Sequence, residues 1–305
     1  MKHIRILSPA SAIDSQWVDR AKNRLEQWGF SVSVAPHAYD HLGRFSATDE
    51  DRVADINAAF ADPNIDIILC SRGGYGLQRI IDKIVLPQRA KDQWPLVVGF
   101  SDVTALHSLL SVNGVPSLHG NMCKDLSLLP DDDAALVAER EILTSRLSPL
   151  TSHLSPLASH LSPLASHLSP LTSRLNRSGK AKGKLIGGNL SVLYGLQGTP
   201  YSLNKIIDQC EEAPILFIED IGEKHYHIDR MLHNLRLSGV FDRIAGLVVG
   251  QFTDCADDAS MGCTLLESIR QVVDDYTFPV LFDCPSGHID SNYPLLLSTT
   301  YHLLV

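Results

Sequence analysis

No Lys/Arg block, no Cys-X-X-Cys pair and no apolar stretch of membrane-spanning length occurs in this chain of 305 residues. Each absence excludes something. With 26 basic against 35 acidic residues and a formal net charge of -9, and with no basic cluster, a nucleic-acid backbone or an anionic membrane surface is not the expected partner. The six cysteines (Cys70, Cys123, Cys210, Cys255, Cys263 and Cys284) are scattered, several of them in apolar runs. That spacing fits reduced core thiols and not a zinc or redox site. The N-terminal Met1-Lys2-His3-Ile4-Arg5-Ile6-Leu7-Ser8-Pro9 has neither a signal-type apolar region nor a small-residue cleavage site, so the expected location is cytoplasmic. At 44% hydrophobic residues the chain can bury a full core, in one large or two medium domains.

The first hundred residues alternate between two periods. Ile4 to Leu7 reads as a strand, after which Val18, Ala21, Leu25 and Trp28 recur at helical spacing until Gly29. Phe30 to Val34 is a second strand, Thr48 caps a run through Val53, Ile56 and Phe60, and Ile65 to Cys70 is a third strand entering a glycine-rich loop. Leu96 to Phe100 is a fourth, with Val103, Leu106, Leu109 and Leu110 lining the helix behind it. This alternation predicts an α/β fold, a flavodoxin-like parallel sheet with helices on both faces. A smaller α/β unit is expected after it, with strands at Ile215 to Ile218, Leu247 to Val249 and Val280 to Phe282 and a helix through Ile228, Met231, Leu232 and Leu235.

Between them the sequence changes character. Ser-X-Leu-Ser-Pro-Leu-(Ala/Thr) repeats four times with a partial fifth copy. A period of seven suggests a coiled coil, but Pro149, Pro156, Pro163 and Pro170 exclude it, since each would cost a helix interior about 3 kcal/mol. The tract reads as an extended or disordered spacer, and the repeated His153, His160 and His167 as duplication and not a metal array. The expected units are therefore residues 1–144, a spacer at 145–178, and residues 179–305.

Ser101 in Gly99-Phe100-Ser101-Asp102 stands where an apolar strand turns into a helix. Such a serine can be a simple helix cap. It can also be a nucleophile presented at a sharp turn, with the Asp102 amide beside a developing oxyanion. Arg72-Gly73-Gly74-Tyr75-Gly76 follows the third strand at the same end of the sheet, and its glycines let backbone N–H groups approach a ligand. Glu219 ends an apolar strand and can orient an imidazole; His288, in Pro285-Ser286-Gly287-His288, again follows a strand. His225-Tyr226-His227 puts its histidines at alternate positions, which suits a loop or surface better than a metal pair. His119 follows a fifth strand, with no task assigned to it.

RGGYG after a strand, GFSD at the turn, GGNL opening the second unit, the run from Glu219 through Asp229-Arg230-Met231-Leu232, and PSGH near the end resemble, in this order, the LD-carboxypeptidase family of serine peptidases. The resemblance implies two α/β domains, a Ser101/His288/Glu219 triad split between them, and no metal or other cofactor. It makes Ser101 the nucleophile, His288 the general base and Glu219 the orienting acid. The amides of Asp102 and of the Gly73-Gly74 turn form the oxyanion hole; Arg72, with Tyr75 beside it, contacts substrate, Arg72 meeting the terminal carboxylate or else making a structural ion pair. It further implies a murein tetrapeptide substrate that loses its terminal D-alanine during cell-wall recycling, with either diaminopimelate or lysine as third residue, and a homodimer. Phe100 stands where the family often has Tyr, and the Ser-Pro-Leu repeat is not a family feature. Two other readings stand beside this one: a microcin-immunity peptidase of the same family, which would use a tryptophan to stack its substrate, and a non-catalytic α/β module binding a phosphate or sugar acid in the RGGYG loop.

Overall fold

A computed structural model describes residues 1–145 and 173–305. Most of the expected spacer at 145–178, and the repeated histidines in it, fall on 146–172, outside the described residues; only residue 145 and residues 173–178 of it are described.

Local signals build the first unit. Helix α1 (Ser15–Gln27) follows strand β1 (His3–Leu7); the Asp14 side chain caps it by accepting from the Gln16 amide, and Val18, Ala21 and Leu25 form its buried stripe. Gly29, at φ 91°, ends it and turns the chain into β2 (Ser31–Val34). Helix α2 (Asp49–Ala61) is capped by Thr48 and carries Asp49, Glu50 and Asp51 in its first turn, where negative charge complements the helix dipole. Strands β3 (Ile67–Cys70) and β4 (Leu96–Gly99) are buried throughout, as strands covered on both faces must be. Helix α3 (Thr104–Ser111), strand β5 (Ser117–His119) and helices α4 (Cys123–Leu128) and α5 (Ala134–Thr144) complete this part of the chain.

The strand order is β2-β1-β3-β4-β5, all parallel, the flavodoxin-like winding expected from the alternation. One face packs against α2 and α3 through Ile56, Phe60, Leu106 and Leu110; the other packs against α1, α4 and α5 through Val18, Leu25, Leu126 and Leu136. Winding reverses between β1 and β3, so the loops leaving these strands, at Ser8-Pro9-Ala10-Ser11 and Ser71-Arg72-Gly73-Gly74, open a crevice at the C-terminal edge.

The second unit contains β6 (Lys180–Asn189), α6 (Leu190–Gly195), α7 (Leu203–Ile207), β7 (Ile215–Ile221), α8 (His225–Leu237), β8 (Gly246–Thr253), α9 (Leu265–Val272) and β9 (Val280–Leu281). Strands β6 to β9 run parallel in sequence order, and the helices cover one face through Leu190, Ile206, Met231, Leu235 and Ile269. Arg177 bridges to Val280, so the chain is already fixed to this sheet before β6 begins.

Two strands near the C-terminus, β10 (Leu295–Leu297) and β11 (Thr300–Leu304), have no counterpart in the strand reading of the sequence. Strand β11 pairs antiparallel with β6, whereas β10 pairs antiparallel with β5 and becomes the sixth strand of the first sheet. Side chains alternate across a strand, so Leu296 enters the first unit's core while Leu295 and Leu297 join Phe217 and Val248 on the second sheet's open face. The Ser111 and Ser298 hydroxyls meet at 2.8 Å across the same seam. Among the described residues no helix is long and apolar enough to cross a membrane, and all six cysteines are free thiols.

Leu297 is fully buried, so Leu297→Ala should destabilise the protein by about 2–5 kcal/mol through the cavity it leaves. Urea unfolding measures this, and a midpoint unchanged from wild type would mean that β10 does not fasten the two sheets.

Candidate active site

Ser101 stands two residues after β4 ends, and its φ of 66° is left-handed, unusual for a residue with a side chain. A short 3-10 turn, Ser101–Val103, runs from it into α3. The turn is sharp enough that a Cβ on Gly99 would lie 3.0 Å from a Val103 methyl and 3.1 Å from Cys70 Cβ, so only glycine fits two residues before the serine. His107 on α3 anchors the elbow from behind. Its Nε2 lies 2.8 Å from the Gly99 carbonyl and its Nδ1 2.8 Å from the Ser117 hydroxyl. A carbonyl only accepts, so Nε2 carries the proton, and burial lowers the pKa to about 4, which keeps the ring neutral.

The glycine loop after β3 lies directly against this elbow. A methyl group on Gly73 would stand 2.7 Å from Ser101 Cβ and 3.0 Å from its Oγ. Hydrogen bonds to Ser11 and Asp102 hold the loop in place. Ser11, in the loop after β1, donates its amide to the Gly73 carbonyl at 3.1 Å and accepts from the Tyr75 amide on its hydroxyl at 3.1 Å. The buried Asp102 carboxylate accepts from the Leu77 amide at 2.9 Å, which joins the residue after Ser101 to the end of the loop. Burial raises the Asp102 pKa, opposed by that hydrogen bond and by the Arg52 charge. The Asp102 amide itself lies in the first turn of a helix, where N–H groups lack intrahelical partners. Arg72 is exposed, donates to the Ala12 carbonyl at 2.8 Å, and among the described residues forms no ion pair. Tyr75 is exposed beside Phe45, their ring centroids 6.0 Å apart.

Glu219 and His288 come from the second unit. Strand β7 is covered on both faces, so Glu219 and Asp220 are both buried while their side chains meet different partners, and the register with β8 shifts between Ile218 and Asp220. The Glu219 side chain is 0% exposed, and its Oε2 lies 2.7 Å from Nδ1 of His288, whose side chain is 14% exposed. Gly250 and Gly287 make room, since a Cβ on either would come within 3.1 Å of Glu219. Burial by itself would lower the His288 pKa, but the hydrogen bond and charge of Glu219, with Asp220 and Asp125 behind them, outweigh it and hold it above the ordinary histidine value. Burial, then the Glu219 charge, pushes Asp220 up to about 7; its carboxylate accepts from Asn189 Nδ2 and the Ser191 amide, each at 2.9 Å.

Two contacts bring the units together at the serine. The His288 ring packs edge-on against Phe100, the residue before Ser101, with centroids 5.0 Å apart. Thr104, at the start of α3, accepts from the Asn189 amide at 3.0 Å, and Asn189 pairs in register with Glu219. Among the described residues no hydrogen bond joins the Ser101 hydroxyl to His288. The arrangement thus offers a strained serine at a helix start, a turn of backbone amides against it, and an imidazole whose far nitrogen is fixed by a carboxylate.

The other histidines read from the sequence outside the repeat, and the three tryptophans, are placed elsewhere. His225 is buried on the Ser268 hydroxyl at 2.7 Å, and His227 pairs with Glu223 at 3.1 Å. His119 is fully buried between the rings of Phe100 and Phe217. Trp17 lies under Lys124 and Trp28 under Arg140, on the α4 and α5 side of the first sheet, while Trp94 precedes β4 at the opposite edge from Ser101. Sequence reasoning missed Ser11, Thr104 and Asn189. Ser11 had a usable signal, since its loop leaves a strand at the same edge of the sheet; Thr104 and Asn189 meet only across the units.

Residues 4–120 match the LD-carboxypeptidase N-terminal domain and residues 182–303 the LD-carboxypeptidase C-terminal domain. A probable murein peptide carboxypeptidase of Bacillus subtilis is 32% identical over 93% of this chain and 83% of its own length. A murein tetrapeptide carboxypeptidase of Pseudomonas aeruginosa is 29% identical over 93% and 87%. Among solved structures, muramoyltetrapeptide carboxypeptidase from Oxalobacter formigenes superposes with a TM-score of 0.73 at 24% identity, covering 100% of this chain and 95% of that one. The microcin C7 self immunity protein MccF does so with a TM-score of 0.74 at 20% identity, over 99% and 92%.

The contact between Gly73 and the elbow is close enough to test. Gly73→Ala should slow labelling of Ser101 by a fluorophosphonate about tenfold or more, followed by intact-protein mass spectrometry. Labelling at the wild-type rate would mean that the glycine turn does not bear on the serine.

Proposed function

The chain belongs to the LD-carboxypeptidase family, and from that membership and the site geometry we propose that it is a serine-type L,D-carboxypeptidase removing the terminal D-alanine from murein tetrapeptides. The observation that carries this reading is the His288–Glu219 pair at 2.7 Å, set beside an elbow that holds Ser101 at positive φ. A carboxylate on Nδ1 fixes the tautomer that leaves Nε2 as the base. In the proposed reaction Nε2 takes the Ser101 proton as Oγ attacks the carbonyl carbon of the L-configured residue. The negative charge that develops on the carbonyl oxygen is met by the amides of Asp102 and the Gly73-Gly74 turn. His288 then gives its proton to the leaving nitrogen, the C–N bond breaks, and D-alanine departs. Water, activated by the same imidazole, hydrolyses the acyl-enzyme and restores Ser101.

Arg72 is the proposed partner of the terminal carboxylate. Arg72 is exposed near the elbow and among the described residues its guanidinium is anchored through Nη1, and the planar fork suits bidentate carboxylate binding. Tyr75 would border the same cleft. The proposal includes a cytoplasmic site of action, a role in cell-wall recycling and assembly as a homodimer, which the family resemblance implies. A tryptophan that stacks a peptidyl-nucleotide is not favoured, since Trp17 and Trp28 are engaged by Lys124 and Arg140.

Purified protein should release D-alanine from an L,D-tetrapeptide, read by a coupled D-amino-acid oxidase assay, and Ser101→Ala should abolish release while remaining folded. Turnover by that variant would remove Ser101 from the mechanism. The pH profile tests the base. Neutral imidazole is the active form, so kcat/KM should fall as pH drops through the raised His288 pKa. In Glu219→Gln the stabilising charge is gone, so that acid limb should move to lower pH while kcat falls by about a hundredfold or more; an unmoved limb would separate Glu219 from the base.

A further inference from the structure

Behind the His288 turn lies a group of polar side chains that the proposed mechanism does not use. Asn121, Glu139 and Asn292 are all fully buried, as is His119 beside them. Glu139 projects from α5 in the first unit, and its Oε2 accepts both the Asn121 amide, at 2.7 Å, and Asn121 Nδ2, at 2.8 Å. Asn121 Nδ2 also donates to the Asn292 carbonyl at 3.2 Å, across the seam between the units. Asn292 in turn accepts on Oδ1 from the Gly287 amide at 2.9 Å and from the Ser286 hydroxyl at 3.3 Å. Gly287 immediately precedes His288 in the chain. The links therefore run without a gap from a helix of the first unit to the residue before His288.

The group is costly where it stands. A buried carboxyl lowers stability relative to an apolar residue of similar size, and among the described residues Glu139 Oε1 and Asn121 Oδ1 have no hydrogen-bond partner. Gly120 fits beside Glu139 because it has no side chain; a Cβ there would be 3.2 Å from Oε2. Burial pushes the Glu139 carboxyl up to about 8, so at neutral pH it is mostly the uncharged acid, with one oxygen free to accept. The turn bearing His288 donates its Gly287 amide to Asn292, the residue whose carbonyl accepts from Asn121.

We propose that Asn121, Glu139 and Asn292 are positioning residues, a hydrogen-bonded strut that holds the His288 imidazole against Glu219 and toward the Ser101 elbow. The strut acts through His288 and touches no substrate. Its role in turnover rests on the carboxypeptidase reading above; its role in fixing the imidazole does not.

Two variants of Glu139 separate reach from charge. Glu139→Gln keeps an oxygen at the same distance, and Glu139→Asp keeps the acid but withdraws it by one methylene; Asn292→Ala removes the acceptor of the Gly287 amide. The readouts are kcat and KM for D-alanine release from the tetrapeptide, and the low-field proton resonance of His288 Nδ1–H, which needs no substrate. Glu139→Asp and Asn292→Ala should lower kcat by about tenfold or more with KM within about twofold, and should broaden or shift the resonance. Glu139→Gln should leave both near wild type. Folded Glu139→Asp with unchanged kcat and an unmoved resonance would overturn the proposal, as would Glu139→Gln proving as damaging as Glu139→Asp. Should Asn292→Ala fail to fold, the Glu139 pair still decides. If the wild-type protein releases no D-alanine, the substrate reading fails, while the resonance still tests the strut.

Discussion

The structure depends on one three-residue strand being shared by two cores. Strand β10 gives Leu296 to the first sheet and Leu295 and Leu297 to the second, so neither unit can bury its apolar surface fully while the other is displaced. Burial of this kind is worth about 25 cal/mol for each Å² of apolar surface removed from water, and here the same few residues contribute to both sides. Before β10 the chain carries the His288 turn, and after it β11 returns to β6. The position of His288 is thereby tied to the edge of the sheet that presents Ser101. A candidate site divided between two units needs no rigid connection through residues 145–178, because the chain crosses back between the sheets close to the site.

Within that frame, close approach replaces side chains at several points. Gly73 rests on Ser101, Gly99 on Val103, Gly188 on Thr104, and Gly250 and Gly287 on Glu219. A methyl group at any of them would come within 3.0 Å of a neighbouring atom, well inside van der Waals contact, so the spacing of the site is set as much by missing Cβ atoms as by hydrogen bonds. Electrostatics follows from the same crowding. Burial penalises every charge at the seam, and only where a partner is held at hydrogen-bond distance is the charged form favoured. His288 has such a partner in Glu219; His107, with only a carbonyl and a hydroxyl, stays neutral.

Much of the fold was legible in the chain itself. Helices α1 and α2 and strands β1, β3, β4, β7 and β8 each carry a period or a cap that belongs to their own residues, and such signals need no distant contact. The Thr48 cap and the Gly29 stop are of this kind. Strands β10 and β11 were not legible. Leu295-Leu296-Leu297 is a continuous apolar run because each face is buried in a different core, so it lacks the alternation by which a strand at the edge of a sheet is recognised. Glu219 and Asp220 are both buried for the same reason, since each face of β7 is covered by a different core.

For the candidate site the division falls in a similar place. Ser101, Glu219 and His288 each follow an apolar strand, and the order of RGGYG, GFSD, GGNL and PSGH marks the family, because local backbone geometry and sequence order are properties of the chain alone. Their assembly is not. That Glu219 reaches Nδ1 of His288, that Phe100 packs on that ring, that Thr104 meets Asn189, and that Glu139 lies two hydrogen-bonded residues from the His288 turn were decided only by tertiary structure. The physical reason is that these contacts join residues from 69 to more than 100 positions apart, and a contact of that span exists only when sheet pairing and core burial have already brought the two units together.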